Sequence, residues 1–225
     1  MEAPAGHPPA AVASRPRPTS SYTDLAKLIR DSGLLRRRYG YYWSRIGLAV
    51  LAFGALWVGV VWLGNSWYQL LLAAALGVLI TQFGFLGHDA AHRQIFVTAT
   101  WNDWTARILS AVFAGLSYGW WKDKHNRHHA TPNQQGRDPD IAPGGLVFTP
   151  EAAAERPRWL APITRRQGYL FFPMLFLEGA NLHAAGIRTL AERPDLPYRR
   201  LEAVLILARF ALPALGFTDG GVRLR

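Results

Sequence analysis

Five of the seven histidines in this 225-residue chain fall into two groups, His88 with His92 and His125 with His128 and His129. Side chains three or four residues apart on an α-helix share a face. H-D-A-A-H therefore aims two imidazoles one way, and H-N-R-H-H aims three. Neutral imidazole is the commonest side-chain metal ligand near neutral pH. An isolated histidine reads as a hydrogen-bonded interfacial residue, whereas two groups at ligand spacing read as a metal site. The chain contains no Cys, which excludes thiolate metal sites, Cys nucleophiles and disulfides. A zinc-protease helix carries H-E-x-x-H, and here Asp89 stands where the glutamate base belongs. The imidazoles outnumber what one tetrahedral zinc needs and suit iron better, and more than one iron.

The elements that must position these groups are membrane helices. From Ile46 to Gly87 no Asp, Glu, Lys or Arg occurs. A hydrocarbon core about 30 Å thick takes roughly 20 apolar residues per helical crossing, so this stretch holds two spans, about 46–64 and 67–87. A soluble domain is excluded, and so is an outer-membrane barrel, whose strands are short and alternate in polarity. His88 follows directly on the second span, at the edge of the bilayer. A third span is expected at about 168–187 and a short fourth at 201–217. Trp101 to Trp121 reads as a re-entrant or surface-lying helix pair with Trp at both ends.

Charge orients the chain. Arg36, Arg37, Arg38 and Arg45 precede the first span, and the hairpin turn Gly64-Asn65-Ser66 has none. The positive-inside rule places the N-terminus and the stretch from His88 to Arg166, with its ten Lys and Arg, in the cytoplasm. The formal net charge of +10 fits anionic lipid head groups. No basic-aromatic domain is present to bind nucleic acid. Residues 1–21 read as a disordered Pro/Ala/Ser tail. Residues 22–38 read as a short amphipathic interfacial helix that breaks at Gly33, and residues 218–225 as an irregular tail.

Taken together, G-H-D-A-A-H-R, K-H-N-R-H-H and the following H-A-T-P-N-Q-Q-G-R-D-P-D-I resemble the histidine boxes of the membrane fatty acid desaturase superfamily, in particular the bacterial acyl desaturases of front-end or linoleoyl type. The likeness covers roughly Tyr22 to Phe217. It implies an all-α integral membrane fold with a four-span bundle and a histidine-box region on its cytoplasmic face. It further implies an O2-dependent, non-haem di-iron fatty acyl desaturase. Residue by residue, His88, His92, His125, His128 and His129 match iron ligands, and Asp89, Asn126, Asp138 and Asp140 match groups that orient imidazoles. For these four, helix capping and turn chemistry is the competing reading. The implied partners are a fatty acyl substrate carried on CoA, a carrier protein or a lipid, and a separate electron donor such as ferredoxin or a flavoprotein reductase. The implied location is a bacterial plasma membrane.

The sequence also departs from that pattern. No Q-x-x-H-H or H-x-x-H-H box occurs, and only His183 lies beyond His129. The ligand set for two irons is incomplete, and the expectation is a C-terminally truncated chain that alone does not desaturate. His183 lies about 22 Å along the third span, given 1.5 Å per residue, and is read as hydrogen-bonded within the bundle rather than as a ligand. Glu178 and Arg209 are expected to pair between neighbouring spans, because an unpaired charge in the bilayer is expensive. The rival readings are a hydroxylase or ketolase of the same superfamily and a non-catalytic membrane remnant.

Overall fold

The computed structural model describes residues 21–218, with side chains through Ala211. All regular structure among them is helical. The described residues divide into two compact units, with the division between Arg37 and Arg38.

In the first unit, α1 (Ser21–Asp31) carries an amphipathic face with Leu25 and Leu28 exposed. Gly33, at φ +75°, takes the left-handed conformation that closes helices, and the helix of the 22–38 segment ends just before it, at Asp31.

The second unit is built on a hairpin of α2 (Tyr39–Leu63) and α3 (Gln69–Ala91). Gln69 pins the turn, donating to the carbonyls of Val60 and Gly64 at 2.8 and 2.7 Å. Next come α4 (Ala99–Ile108), a π-helical segment (Leu109–Ala114) and α5 (Tyr118–Ala130). Two short helices, α6 (Pro150–Ala154) and α7 (Ala161–Arg165), lead into α8 (Gln167–Glu192) and α9 (Arg199–Thr218). The expected tails lie outside the described residues, except that Ser21 begins α1 and Thr218 ends α9.

Among the described residues, α2, α3 and α8 are long and apolar enough to cross a membrane. Each runs several residues beyond the expected span. Helical hydrogen bonding continues past the apolar segment into polar flanks, and the turn residues alone stop it. The helix α9, expected as the fourth span, carries Arg199, Arg200, Glu202 and Arg209 and is not among the three. The apolar side chains of the hairpin face outward: Val61 is 81% and Trp62 85% exposed, as is Phe176 of α8 at 90%. In water so much exposed apolar area would drive association, whereas in lipid it is the contact surface.

The interior is thin and sits towards one end of the hairpin. Phe83 is wholly buried and stacks on Phe113 of the π-helical segment, with ring centroids 4.4 Å apart. Ala49, Leu79, Leu86 and Leu109 complete this cluster. A second cluster, Ala90, Ile95, Ala106 and Tyr118, packs the end of α3 against α4 and the start of α5. The close approach of α3 to the π-helical segment requires Gly87, where a Cβ would come within 3.3 Å of Ser110 Oγ. The expected helix pair over 101–121 is present: Gly115, at φ +74°, stops the π-helical segment and lets the chain turn into α5.

The expected Glu178–Arg209 pair does not form. Glu178 is exposed and accepts from Asn181 of its own helix at 3.2 Å. Arg209 donates to the carbonyl of Phe113 at 3.3 Å and lies over the rings of Phe53 and Trp57. The buried ion pair is instead Arg107 with Glu202, Nε to Oε1 2.9 Å, with side chains 7% and 0% exposed. Leaving one partner of such a pair buried alone costs roughly 3–5 kcal/mol.

Candidate metal centre

Two helix ends bring the histidines together. His88 lies in the last turn of α3, and His92 caps that helix, its N–H reaching the His88 carbonyl. Ser117 caps α5 at the other side by accepting from the backbone N–H of Trp120, and His125, His128 and His129 follow in the last two turns of that helix.

His92 Nε2 lies 3.0 Å from His125 Nε2, and His129 Nε2 lies 3.1 Å from the same atom. His88 joins them, its ring centroid 4.5 Å from that of His92 and 5.0 Å from that of His125. One ligand atom each from His88, His92 and His125 falls within a 4.8 Å span. Two nitrogens bound about 2.1 Å from one ion, at right angles around it, are about 3.0 Å apart. The observed separations match those of nitrogens that could share an ion, and equally those of a ring-to-ring hydrogen bond.

Burial and neighbouring imidazoles favour the neutral form of His125 and His92. Burial lowers the His125 pKa, and the neighbouring imidazoles of His129, His88, His92 and His128 add to the effect, bringing it to about 4. His92 is lowered by burial and by His88 and His129, against a small opposing pull from Asp89. Neutral imidazole is the ligating form. Trp121 walls the cluster from one side, stacked on His125 with centroids 4.3 Å and planes 22° apart, and meets His88 edge-on.

His128 stands in a second group with Asp138 and Asp140. Its Nδ1 is 3.0 Å from each Asp138 oxygen and 3.3 Å from an oxygen of Asp140. Burial alone would raise the Asp138 pKa. The backbone N–H groups of Asp140 and Asn133 and the His128 ring outweigh it, and the carboxyl sits below its ordinary range. Asp140 also pairs with Lys124. A carboxylate behind Nδ1 fixes the tautomer whose Nε2 carries the free lone pair.

Asp89 has a lesser hold on His88, 3.8 Å from its Nδ1, and accepts from Tyr42 Oη at 3.1 Å. Asn126 is not brought to the imidazoles. It lines a separate cavity of about 440 Å³ with Asp103, Tyr118, Lys122 and Arg193. One residue along a helix is a turn of about 100°, so a neighbour of His125 faces away from it. His183 stands apart from the cluster as well, its ring nitrogens facing the carbonyls of Gly179 at 2.6 Å and Ala114 at 3.1 Å.

Sequence reasoning missed Trp121, Tyr42 and the Arg107–Glu202 pair. The pair gave little signal in the sequence, because Arg107 shares α4 with Asp103 and Glu202 follows Arg199 and Arg200, so neither stands as a lone charge in an apolar stretch.

Fold and site together define a helical protein of the membrane-bound type with an imidazole cluster able to hold metal. Residues 65–222 match the fatty acid desaturase family model, and the chain belongs to that family. It is 29% identical over 193 residues to a Delta(8)-fatty-acid desaturase of Helianthus annuus, an alignment covering 80% of this chain and 42% of that protein. It is 33% identical over 121 residues to a Delta(5) fatty acid desaturase of Caenorhabditis elegans, covering 54% of this chain and 26% of that protein. To a Delta(8)-fatty-acid desaturase of Euglena gracilis it is 42% identical over 69 residues, covering 31% and 16%. The chain thus spans less than half the length of these curated relatives. No solved structure matches it.

Proposed function

We propose that this chain is the histidine-box portion of an O2-dependent, non-haem iron fatty acyl desaturase. The observation that carries the reading is the convergence of His92 and His129 ring nitrogens on His125 Nε2 at 3.0 and 3.1 Å. The donor set fits iron: five imidazoles, carboxylates behind them and no thiolate. His88, His92, His125, His128 and His129 are its ligands. Bound iron supplies the activation of dioxygen that removal of hydrogen from an acyl methylene requires.

The chain's own residues do the positioning. Asp138 and Asp140 hold His128 by Nδ1. Asp89, itself held by Tyr42, sets His88. Trp121 fixes the plane of His125 and keeps water from that side of the cluster. Asn126 is assigned no part in orienting the rings, since it lines the other cavity. The family and the named relatives favour desaturation of an acyl chain over the hydroxylase or ketolase alternative.

The same proposal places the desaturase-like domain at 22–217 in a bacterial plasma membrane, with α9 completing a four-span bundle. The N-terminus and the histidine boxes are cytoplasmic. The four arginines before α2, against none in the turn between α2 and α3, support this orientation. The reductant is a separate ferredoxin or flavoprotein reductase.

Metal analysis of the detergent-purified chain is the test. Iron held in a form that His125→Ala abolishes supports the reading. A protein that takes up no iron under anaerobic loading overturns it and leaves a non-catalytic membrane protein.

A further inference from the structure

The junction between the π-helical segment and α5 is held at both ends by α9. Helix termini leave unpaired carbonyls at one end and unpaired N–H groups at the other. Here Arg209 Nε donates to the carbonyl of Phe113, in the last turn of the π-helical segment. Glu202 takes the N–H end. Gly119 N donates to its two oxygens at 3.2 and 3.1 Å, and Ser117 Oγ donates to Oε2 at 2.7 Å while accepting from Trp120 N. Arg107 Nε donates to Oε1 at 2.9 Å. Glu202 is fully buried, and every one of these partners belongs to α4 or to the start of α5. Residues 202 and 209 are two helical turns apart, so one face of α9 offers an acceptor to the donors and a donor to the acceptors. The carboxylate also lies at the positive end of the α5 dipole.

This helix start has leverage. Eight residues separate Ser117 from His125, about 12 Å of helix, so a tilt of about 10° at the junction carries the imidazoles about 2 Å. Metal–ligand distances tolerate only about 0.2 Å. We propose that Glu202 is the positioning residue of the second histidine group: its carboxylate fixes the direction of α5 and so the approach of His125, His128 and His129 to the histidines of α3. Its chemical consequence rests on the metal reading above, but the geometric claim does not.

The test uses the whole chain in detergent with two readouts. The absence of Cys lets spin labels be placed cleanly at Leu71→Cys in α3 and Ala130→Cys in α5, both exposed positions. Glu202→Ala should broaden the distance distribution between them without any metal present. It should also weaken Co2+ binding by about 10- to 100-fold, with a changed ligand-field spectrum, as loss of orienting partners does elsewhere. Ser117→Ala, which removes one of the four contacts, should do the same to a smaller degree. Leu190→Ala is the packing control, since Leu190 is an apolar residue buried in one cluster with Ile206 of α9. It should lower the melting temperature while leaving the distance distribution and Co2+ spectrum unchanged.

An unchanged distribution in Glu202→Ala, or equal broadening in Leu190→Ala, overturns the proposal. If the parent chain takes up no Co2+ while Glu202→Ala still broadens the distribution, the metal reading fails and the positioning role stands.

Discussion

The Nδ1 of His128 lies 3.0 Å from both carboxylate oxygens of Asp138, a residue only 2% exposed. Asp138 is itself held by the backbone N–H groups of Asn133 at 2.7 Å and Asp140 at 2.8 Å. The loop after α5 thus closes on the histidine from behind and leaves Nε2 free to bind.

Asp138→Asn should weaken metal binding more than its size implies. An amide can donate to Nδ1, which shifts the ring proton to Nε2 and blocks the lone pair. The expected loss is about 10- to 100-fold in affinity, read by anaerobic Fe2+ titration with a competing chelator. Asp140→Asn, whose carboxylate is farther from the ring and shared with Lys124, should lose less.

Among single alanine substitutions, His125→Ala should lower bound metal the most. Its Nε2 is the atom that both His92 and His129 approach, and its ring stacks on Trp121. Metal per protein, measured by mass spectrometry after desalting, should fall further for His125→Ala than for His128→Ala. His183→Ala should retain the parent's content, because the His183 ring faces backbone carbonyls instead.

Gly115→Ala should destabilise the protein. The residue sits at φ +74°, and a Cβ there would come within 3.0 Å of Phe210 Cζ and 3.3 Å of His183 Nε2. The left-handed conformation alone costs an L-residue about 1–2 kcal/mol. A lower midpoint in detergent thermal unfolding is expected, and a larger drop than for Gly54→Ala, which has open space around it.

Orientation can be checked by labelling single cysteines from outside intact cells. Asn65→Cys, in the turn between α2 and α3, should react with a membrane-impermeant maleimide. Gln135→Cys, in the exposed loop after α5, should react only once the cells are opened. The reverse pattern would place the histidines outside.

Residue type and spacing along the chain determined much of this protein. The charge-free run from Ile46 to Gly87 fixed two long helices, because a bilayer-length apolar segment has few other structures open to it. Helical periodicity put His88 with His92 and His125 with His128 and His129, since neighbours on one turn are a local matter. The positive φ at Gly33 was likewise legible as a helix stop.

What tertiary structure alone decided lies between residues far apart. His92 and His125 are 33 positions apart, and only the packing of α5 against the end of α3 brings their ring nitrogens to 3.0 Å. Asn126 sits in the same motif as the histidines, yet the direction of α5 turns it into another cavity. Arg209 faces a carbonyl and aromatic rings, whereas Arg107 finds Glu202, 95 residues away. A buried charge must have a partner, and that rule can be read from a sequence. Which partner it has depends on which helix faces turn toward each other. That is set by side-chain packing over the whole bundle, where the small residues Gly87 and Gly115 allow the helices to close in.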